Sequence, residues 1–324
     1  MKLIIDVDTG IDDALALLYV LASPEAELLA VTCTSGNVEA AQVAENTIAL
    51  LDMCGQSDVE VALGRHEPLK RPLQIAPETH GPKGVGYAVL PSPTRAVSQR
   101  HSADLIAEEL RRAPGEVTLI TLGPLTNLAV ALEREPALPT LARNLVMMAG
   151  SYRSPGNTAP TTEWNVAVDP EAMQAVLSAW AAAEGVGRPV ALGLDVTERA
   201  KLLPDHLERL HAAAGDPHAN RVLAFIDDAL RFYMEFHSRY DGFYGAFIHD
   251  ALAVASALDP TLLTIEALPV QVELAGELTS GETVTDWRRV WGQPPNLEIG
   301  ISADIERFFD RYIERVGGLA ARTV

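Results

Sequence analysis

"KLIIDVDTGIDDALALLYV", residues 2–20, places four aspartates (Asp6, Asp8, Asp12 and Asp13) within eight positions. The apolar run 2–6 before them reads as a strand. The run 12–22 after them carries apolar residues at helical spacing. Strand passing straight to helix is the first half of a βαβ unit, and the rhythm continues. Strand patterns at 27–34 and 59–64 flank a helix at 38–54. Residues 65–97 are rich in Pro and Gly and lack a period; a loop that long inside a compact domain is often functional. The alternation resumes with a helix at 98–112, a strand at 116–123, a helix at 124–133 and a strand at 144–150. A polar loop at 151–165, a helix and a strand at 188–195 follow. Residues 203–258 read as mostly helical, 262–300 as strand-like runs with turns, and a helix closes the chain. This order predicts an α/β fold with a mainly parallel, doubly wound sheet and helices on both faces. No composition shift marks a linker, so 1–324 reads as a single domain.

The 324 residues are 48% hydrophobic, enough for a large core, and carry a formal charge of −19. Such a surface repels phosphate backbones, so nucleic acid is not an expected partner. No apolar stretch is long and uncharged enough to span a bilayer, so no membrane partner is expected either. Cys33 and Cys54 are too few for a disulfide framework. Met1 is followed at once by a strand pattern, with no basic n-region or long apolar h-region. A cytoplasmic protein is the simplest expectation, and a homo-oligomer (dimer or tetramer) the expected assembly.

In open parallel sheets ligands bind outside the carboxyl ends of the strands. The polar residues collect there: Asp8, Asp12 and Asp13 after the first strand, Asn37 after the second, "GPLTN" (123–127) and the 151–165 loop after later ones. Each has a bland reading: Asp12 as a helix cap, Gly36–Asn37 as a turn, Asn127 as a helix-surface residue. Four polar loops on one rim favour a site. The aspartates exceed what capping needs, since one residue holds that position. Two carboxylates about 5 Å apart repel by roughly 3 kcal/mol at an effective dielectric near 20, which a cation would remove. All-oxygen ligands favour a hard ion, Ca²⁺ or Mg²⁺, and no CxxC or HExxH points to zinc. There is no GxxxxGK[ST], GxGxxG or GxSxG.

The opening "DVDTGIDDA" resembles the D-x-D-P-G-x-D-D-A of the inosine–uridine-preferring nucleoside hydrolases. "SGNV" (35–38), "THG" (79–81), "LGPLTNLA" (122–129), "GNTAPTTEWN" (156–165) and "IHDALAV" (248–254) follow in that family's order. The resemblance implies a Rossmann-like fold, a bound Ca²⁺ and hydrolysis of ribonucleosides to base and ribose. It implies Asp8, Asp13 and Asp250 as side-chain calcium ligands and Leu122 as a carbonyl ligand. Asp12 and Asn37 would bind the ribose 2′ and 3′ hydroxyls, and Asn157, Glu163 and Asn165 its 5′ side. Met148 and Trp164 would line the sugar, and His80 and His249 would lie towards the base. Asp8 is the expected general base and His249 the expected aid to the departing base; Tyr233, Tyr240 and Tyr244 stand near as stacking or relay candidates, with Tyr240 taken into the substrate set. Asp6 is expected to orient the site rather than bind metal. The chain departs from the pattern at Thr9 (usually proline), at Trp164 (usually phenylalanine) and in "PKGVG" (82–86), which borders the base pocket.

Two other functions fit parts of the pattern. A strand ending in D-x-D resembles the haloacid dehalogenase-like phosphatases, but Thr9–Gly10 and two further aspartates follow where those have G-T. A non-catalytic ribose or calcium binder would keep the pocket without the chemistry; the intact set Asp8, Asp13 and Asp250 argues against it.

Overall fold

The apolar run behind the aspartates is buried on both sides, as a central parallel strand requires. In the computed structural model, which describes residues 1–214 and 220–323, it forms β1 (Lys2–Val7), followed by α1 (Ile11–Leu21), β2 (Glu27–Cys33), α2 (Ala40–Met53) and β3 (Glu60–Leu63). The Pro/Gly-rich stretch holds one short helix, α3 (Pro77–His80). Then come α4 (Ser102–Arg112), β4 (Val117–Thr121), α5 (Thr126–Arg134), α6 (Leu138–Leu141) and β5 (Asn144–Met148). Next are α7 (Trp164–Val168), α8 (Pro170–Ala182), β6 (Val190–Leu192), α9 (Leu194–Thr197), β7 (Lys201–Leu202) and α10 (Pro204–Ala214). The chain ends with α11 (Arg221–Tyr240), β8 (Ala246–Phe247), α12 (His249–Leu258), β9 (Leu263–Leu268), β10 (Val270–Val272), β11 (Thr283–Thr285), β12 (Leu297–Ala303) and α13 (Ile305–Arg322). The helical reading of 203–258 covers residues 215–219, which lie outside the described residues.

The main sheet has eight strands in the order β3-β2-β1-β4-β5-β6-β12-β9. Every pairing is parallel except β12 with β9. This is the expected mainly parallel, doubly wound architecture. One hydrophobic cluster joins α1, α11, α12 and α13 on one face; the other joins α4, α5 and α8 on the opposite face. The strand order reverses between β1 and β4, which opens a crevice at their carboxyl ends. Leu122 N donates to Asp6 O at 2.8 Å, so the chain leaving β4 stays beside the one leaving β1.

Two element boundaries differ from the sequence reading. The helix expected from 98 begins at Ser102. Ser98 N donates to Val61 O, and the Ser98 hydroxyl and Arg100 guanidinium are bound to Glu60, which holds 98–101 along β3. The His101 ring then caps the helix by accepting from Ala103 N. The strand expected over 188–195 is short, because Gly193 already caps α9.

Candidate active site

The aspartates meet because two helices begin at the same place. Asp12 and Asp13 lie in the first turn of α1 and Asp250 in the first turn of α12, where unpaired amides favour negative charge. Gly10 is the N-cap of α1, and the Asp13 carboxylate accepts from Gly10 N at 2.8 Å and from Asp8 N at 3.2 Å. Asp8 Oδ2 accepts from Asn37 N at 2.8 Å, and Asn37 Nδ2 reaches Asp13 Oδ2 at 3.3 Å. The two motif glycines are there for room. A Cβ at Gly36 would lie 2.1 Å from Asp8 Oδ2, and one at Gly10 2.6 Å from Asn37 Nδ2 and 2.7 Å from His80 Nδ1.

One oxygen from each of Asp12, Asp13 and Asp250 lies within 4.8 Å of the others, and all three residues are buried. The tight trio therefore includes Asp12, which the sequence reading gave to the sugar. Asp8 sits beside it, with Oδ1 buried and lacking any partner. Burial raises the pKa of all four carboxyls, and repulsion adds to the rise for three of them, with Asp13 foremost for Asp8 and Asp12, and Asp12 for Asp250. An orphaned carboxylate oxygen beside three converging carboxylates fits a hard divalent cation. Asp6 stands behind them. Burial lifts it to about 7, while Thr32 Oγ1 and Asn127 Nδ2 donate to its Oδ1 at 2.5 and 2.8 Å. Asn127 is fully buried rather than on a helix surface. It also donates to Cys33 O and accepts from Arg65 N, tying together the ends of β1, β2 and β3.

These carboxylates open into a cavity of about 490 Å³. Asp12, Asn37, Leu122 and Asp250 line it next to the acidic cluster; Asp8 and Asp13 do not reach its wall. On another side lie Met148, Asn157, Glu163, Trp164 and Asn165. Asn165 Nδ2 donates to Leu122 O at 2.7 Å and Met148 O at 3.0 Å, fixing the carbonyl expected to hold metal. The Glu163 carboxylate is the N-cap of α7 and accepts from the backbone N–H groups of Gly150, Asn165 and Val166; burial still raises it to about 6. Asn157 is exposed and its Oδ1 accepts from Trp164 N at 3.0 Å.

His80, Tyr233, Tyr240 and His249 also line the cavity, whereas Tyr244 is not among its lining residues. Tyr240 is 61% exposed, at the mouth. His80 Nδ1 accepts from Ile11 N at 3.1 Å, and burial, helped by His237, holds the ring near 3, so it is neutral with its proton on Nε2. Burial, with His237 and His80 adding to it, pushes His249 down to about 3 as well; its Nδ1 lies 2.8 Å from Thr197 Oγ1. Sequence reading missed His237, Asp241, Glu198, Phe236 and Phe247, all of which line the cavity. A signal existed: Tyr233, Phe236, His237 and Tyr240 recur at helical spacing in α11.

The family model described as inosine-uridine preferring nucleoside hydrolase matches residues 3–310. An uncharacterized protein of Schizosaccharomyces pombe is 37% identical over 321 residues, covering 98% of this chain and 100% of its own. The pyrimidine-specific ribonucleoside hydrolase RihA of Enterobacter sp. (strain 638) is 36% identical over 324 residues, covering 99% of each chain. Among solved structures, a purine-preferring ribonucleoside hydrolase from Gardnerella vaginalis superposes with a TM-score of 0.91 at 29% identity, covering 99% of this chain and 100% of the other.

Proposed function

The chain belongs to the inosine-uridine preferring nucleoside hydrolase family, and from that premise we propose that it hydrolyses the N-glycosidic bond of ribonucleosides to free base and ribose, with Ca²⁺ held by Asp8, Asp13, Asp250 and the Leu122 carbonyl. The observation that carries the metal is Asp8 Oδ1, buried without a partner beside the trio of Asp12, Asp13 and Asp250. When bound, such an ion lowers the pKa of water and draws the sugar's vicinal hydroxyls.

The chain's own groups do the rest. Asp8, oriented by Asn37 N, takes the proton of the attacking water. Asp12 accepts from a ribose hydroxyl, and Asn37, whose Nδ2 is turned to Asp13, keeps Oδ1 for the other. Glu163, Asn157 and Asn165 bind the 5′ side, with Met148 and Trp164 packing on the sugar. The glycosidic bond breaks through an oxocarbenium-like transition state, whose positive charge the acidic side of the cavity suits.

His249 and His80 help the base leave. With the Thr197 hydroxyl donating to Gly193 O at 3.1 Å, His249 Nδ1 keeps the proton; with the hydroxyl turned to Nδ1, the proton sits on Nε2 and is available to the base. Tyr233 stands beside both His80 and the acidic cluster, and burial with the charges of Asp12 and Asp250 raises its pKa well above the usual range, so it is a donor at neutral pH.

A phosphatase reading lacks support, because none of the described residues lining the cavity is Lys or Arg. No helix among the described residues is long and apolar enough to cross a membrane. The test is release of reducing sugar from a panel of purine and pyrimidine ribonucleosides, with and without chelator. Sugar release that chelator abolishes and Ca²⁺ restores supports the proposal; a panel left intact, or release indifferent to chelator, refutes it. Assembly as a dimer or tetramer is read by light scattering on the same sample.

A further inference from the structure

The loop between β5 and α7, residues 149–163, brings Asn157 and Glu163 to the cavity, and it is tied to the rest of the fold mainly at its two ends. At the returning end the Glu163 carboxylate holds the amides of Gly150, Asn165 and Val166. Among the described residues, the hydrogen bonds of 155–161 go no further than the loop and the first residue of α7. They include Gly156 N to Pro160 O at 3.0 Å, Thr158 N to Thr162 O at 3.4 Å and Trp164 N to Asn157 Oδ1 at 3.0 Å. Asn157 is therefore placed by the way the loop leaves β5 and the way it enters α7.

The leaving end turns on one carboxylate. Asp195, in the first turn of α9, has the position of an ordinary acidic residue at a helix start. Its oxygens face the loop instead. Oδ2 accepts from Tyr152 N at 2.8 Å, and Oδ1 accepts from Arg153 N at 2.7 Å and Ser154 N at 3.1 Å. No other acceptor among the described residues serves these three amides. Bonds to an ionised acceptor are stronger than neutral ones, and three in succession fix the run of the backbone. The support is firm: Leu194 N donates to Gly150 O at 3.0 Å, and β6, just before α9, lies between β5 and β12 in the main sheet. On the other side Thr283 Oγ1 donates to Ser151 O at 2.6 Å and Trp287 Nε1 to Tyr152 O at 3.1 Å. Those two bonds hold only the carbonyls of 151 and 152, so Arg153 N and Ser154 N depend on Asp195.

Asp195 does not line the cavity, so it reaches a substrate only through the loop. Within the loop, Asn157 Oδ1 is taken by Trp164 N, which leaves Nδ2 to donate to a ligand. We propose that Asp195 is a positioning residue for recognition of the sugar's 5′-hydroxyl: by gathering the amides of 152–154 it sets the loop so that Asn157 Nδ2 and the Glu163 carboxylate meet that hydroxyl together. This rests on the proposed nucleoside hydrolysis and assigns the support of its 5′ side.

The experiment compares kcat/KM for an accepted nucleoside, uridine or inosine, with that of its 5′-deoxy analogue and, in parallel, its 2′-deoxy analogue. For the wild-type protein the 5′ ratio is expected to be about 10–100, the range that losing one hydrogen bond to a charged or buried group produces. In Asp195→Ala the parent nucleoside falls and the 5′ ratio drops towards 1. The 2′ ratio, which reads Asp12 and Asn37, holds. Asp195→Asn keeps the shape and one oxygen for Arg153 and Ser154, and its 5′ ratio lies between the two. A merely structural role would slow all three substrates together and leave both ratios at their wild-type values; that result, in either variant, overturns the inference. A 2′ ratio that falls along with the 5′ ratio overturns it as well. A wild-type 5′ ratio near 1 does so without any variant, so a variant that fails to fold does not protect it. Wild-type protein that hydrolyses no nucleoside overturns the proposed function, and this inference with it.

Discussion

Replacing Asp250 by Asn should have opposite effects on stability with and without metal. Asp250 shares the trio with Asp12 and Asp13, oxygens within 4.8 Å of each other. At that separation and an effective dielectric near 20, each like-charged pair costs about 3 kcal/mol. Asp250→Asn removes two of the three pairs in the trio. Burial first, and for Asp12 and Asp250 the neighbouring charges as well, raises the pKa of these carboxyls, so the wild-type protein escapes part of that cost by taking up protons. A net gain of about 3 kcal/mol is then expected for the metal-free variant near neutral pH. With an unfolding entropy of roughly 2.1 cal/mol/K per residue, that is about 4 °C in Tm. Carboxyls whose folded pKa is raised hold protons more tightly when folded, so metal-free wild-type protein becomes more stable as pH falls from neutral towards the unfolded value near 4. The advantage of Asp250→Asn should shrink over the same interval. With Ca²⁺ the order reverses: the cation stabilises wild-type protein and the variant, short of a charged ligand, melts lower. Calorimetric melts across this pH range, in chelator and in excess Ca²⁺, decide it. An Asp250→Asn protein less stable than wild type in chelator at neutral pH would refute the electrostatic account of the site.

Asp13→Ala should abolish both activity and bound metal, since it removes a ligand charge and the cap on Gly10 N; retained metal by elemental analysis would contradict this. Turnover of 2′-deoxyuridine should be far weaker than that of uridine, because Asp12 and Asn37 lose a hydroxyl partner, and equal kcat/KM values would refute the assignment. His249→Ala should slow natural nucleosides by about 10²–10⁴ and an activated aryl riboside such as p-nitrophenyl riboside little, whereas Asp8→Asn should slow both alike. Equal damage to both substrates in His249→Ala would make it a support for Asp250 instead. Asp6→Asn keeps the acceptor for Thr32 and Asn127 and removes a charge that burial lifts to about 7, so in chelator it should raise Tm at pH above 7 and little near pH 5; a pH-independent change would refute that.

What was legible in the sequence was local. Asp8, Asp12 and Asp13 straddle one strand-to-helix junction, and the rule that ligands bind at strand ends places any such junction on the rim. Their excess charge needs no tertiary knowledge to be noticed. The start of α4 was not legible, because an apolar period cannot register that Arg100 and Ser98 are bound to Glu60 across the loop. Nor was Asn127: helical spacing shows which face a side chain occupies, not that the face lies against the ends of three strands. His237, on the cavity wall with Nδ1 2.7 Å from Asp241 Oδ2, shows the same limit. Within α11 it is one aromatic among several, and its i,i+4 neighbour Asp241 looks like an exposed helix pair of little consequence. Only burial turns that pair into a held tautomer, because a neutral imidazole with one nitrogen committed to a carboxylate has a single polarity left to offer. Charge clusters can therefore be read from a sequence because repulsion is costly wherever the groups lie close along the chain. Hydrogen-bond polarity cannot be, since it is decided by which partner the fold brings to the other nitrogen. By that argument the acidic end of this cavity is the part the sequence reveals, and the hydrogen-bond polarity of its histidine end is the part that takes a structure to find.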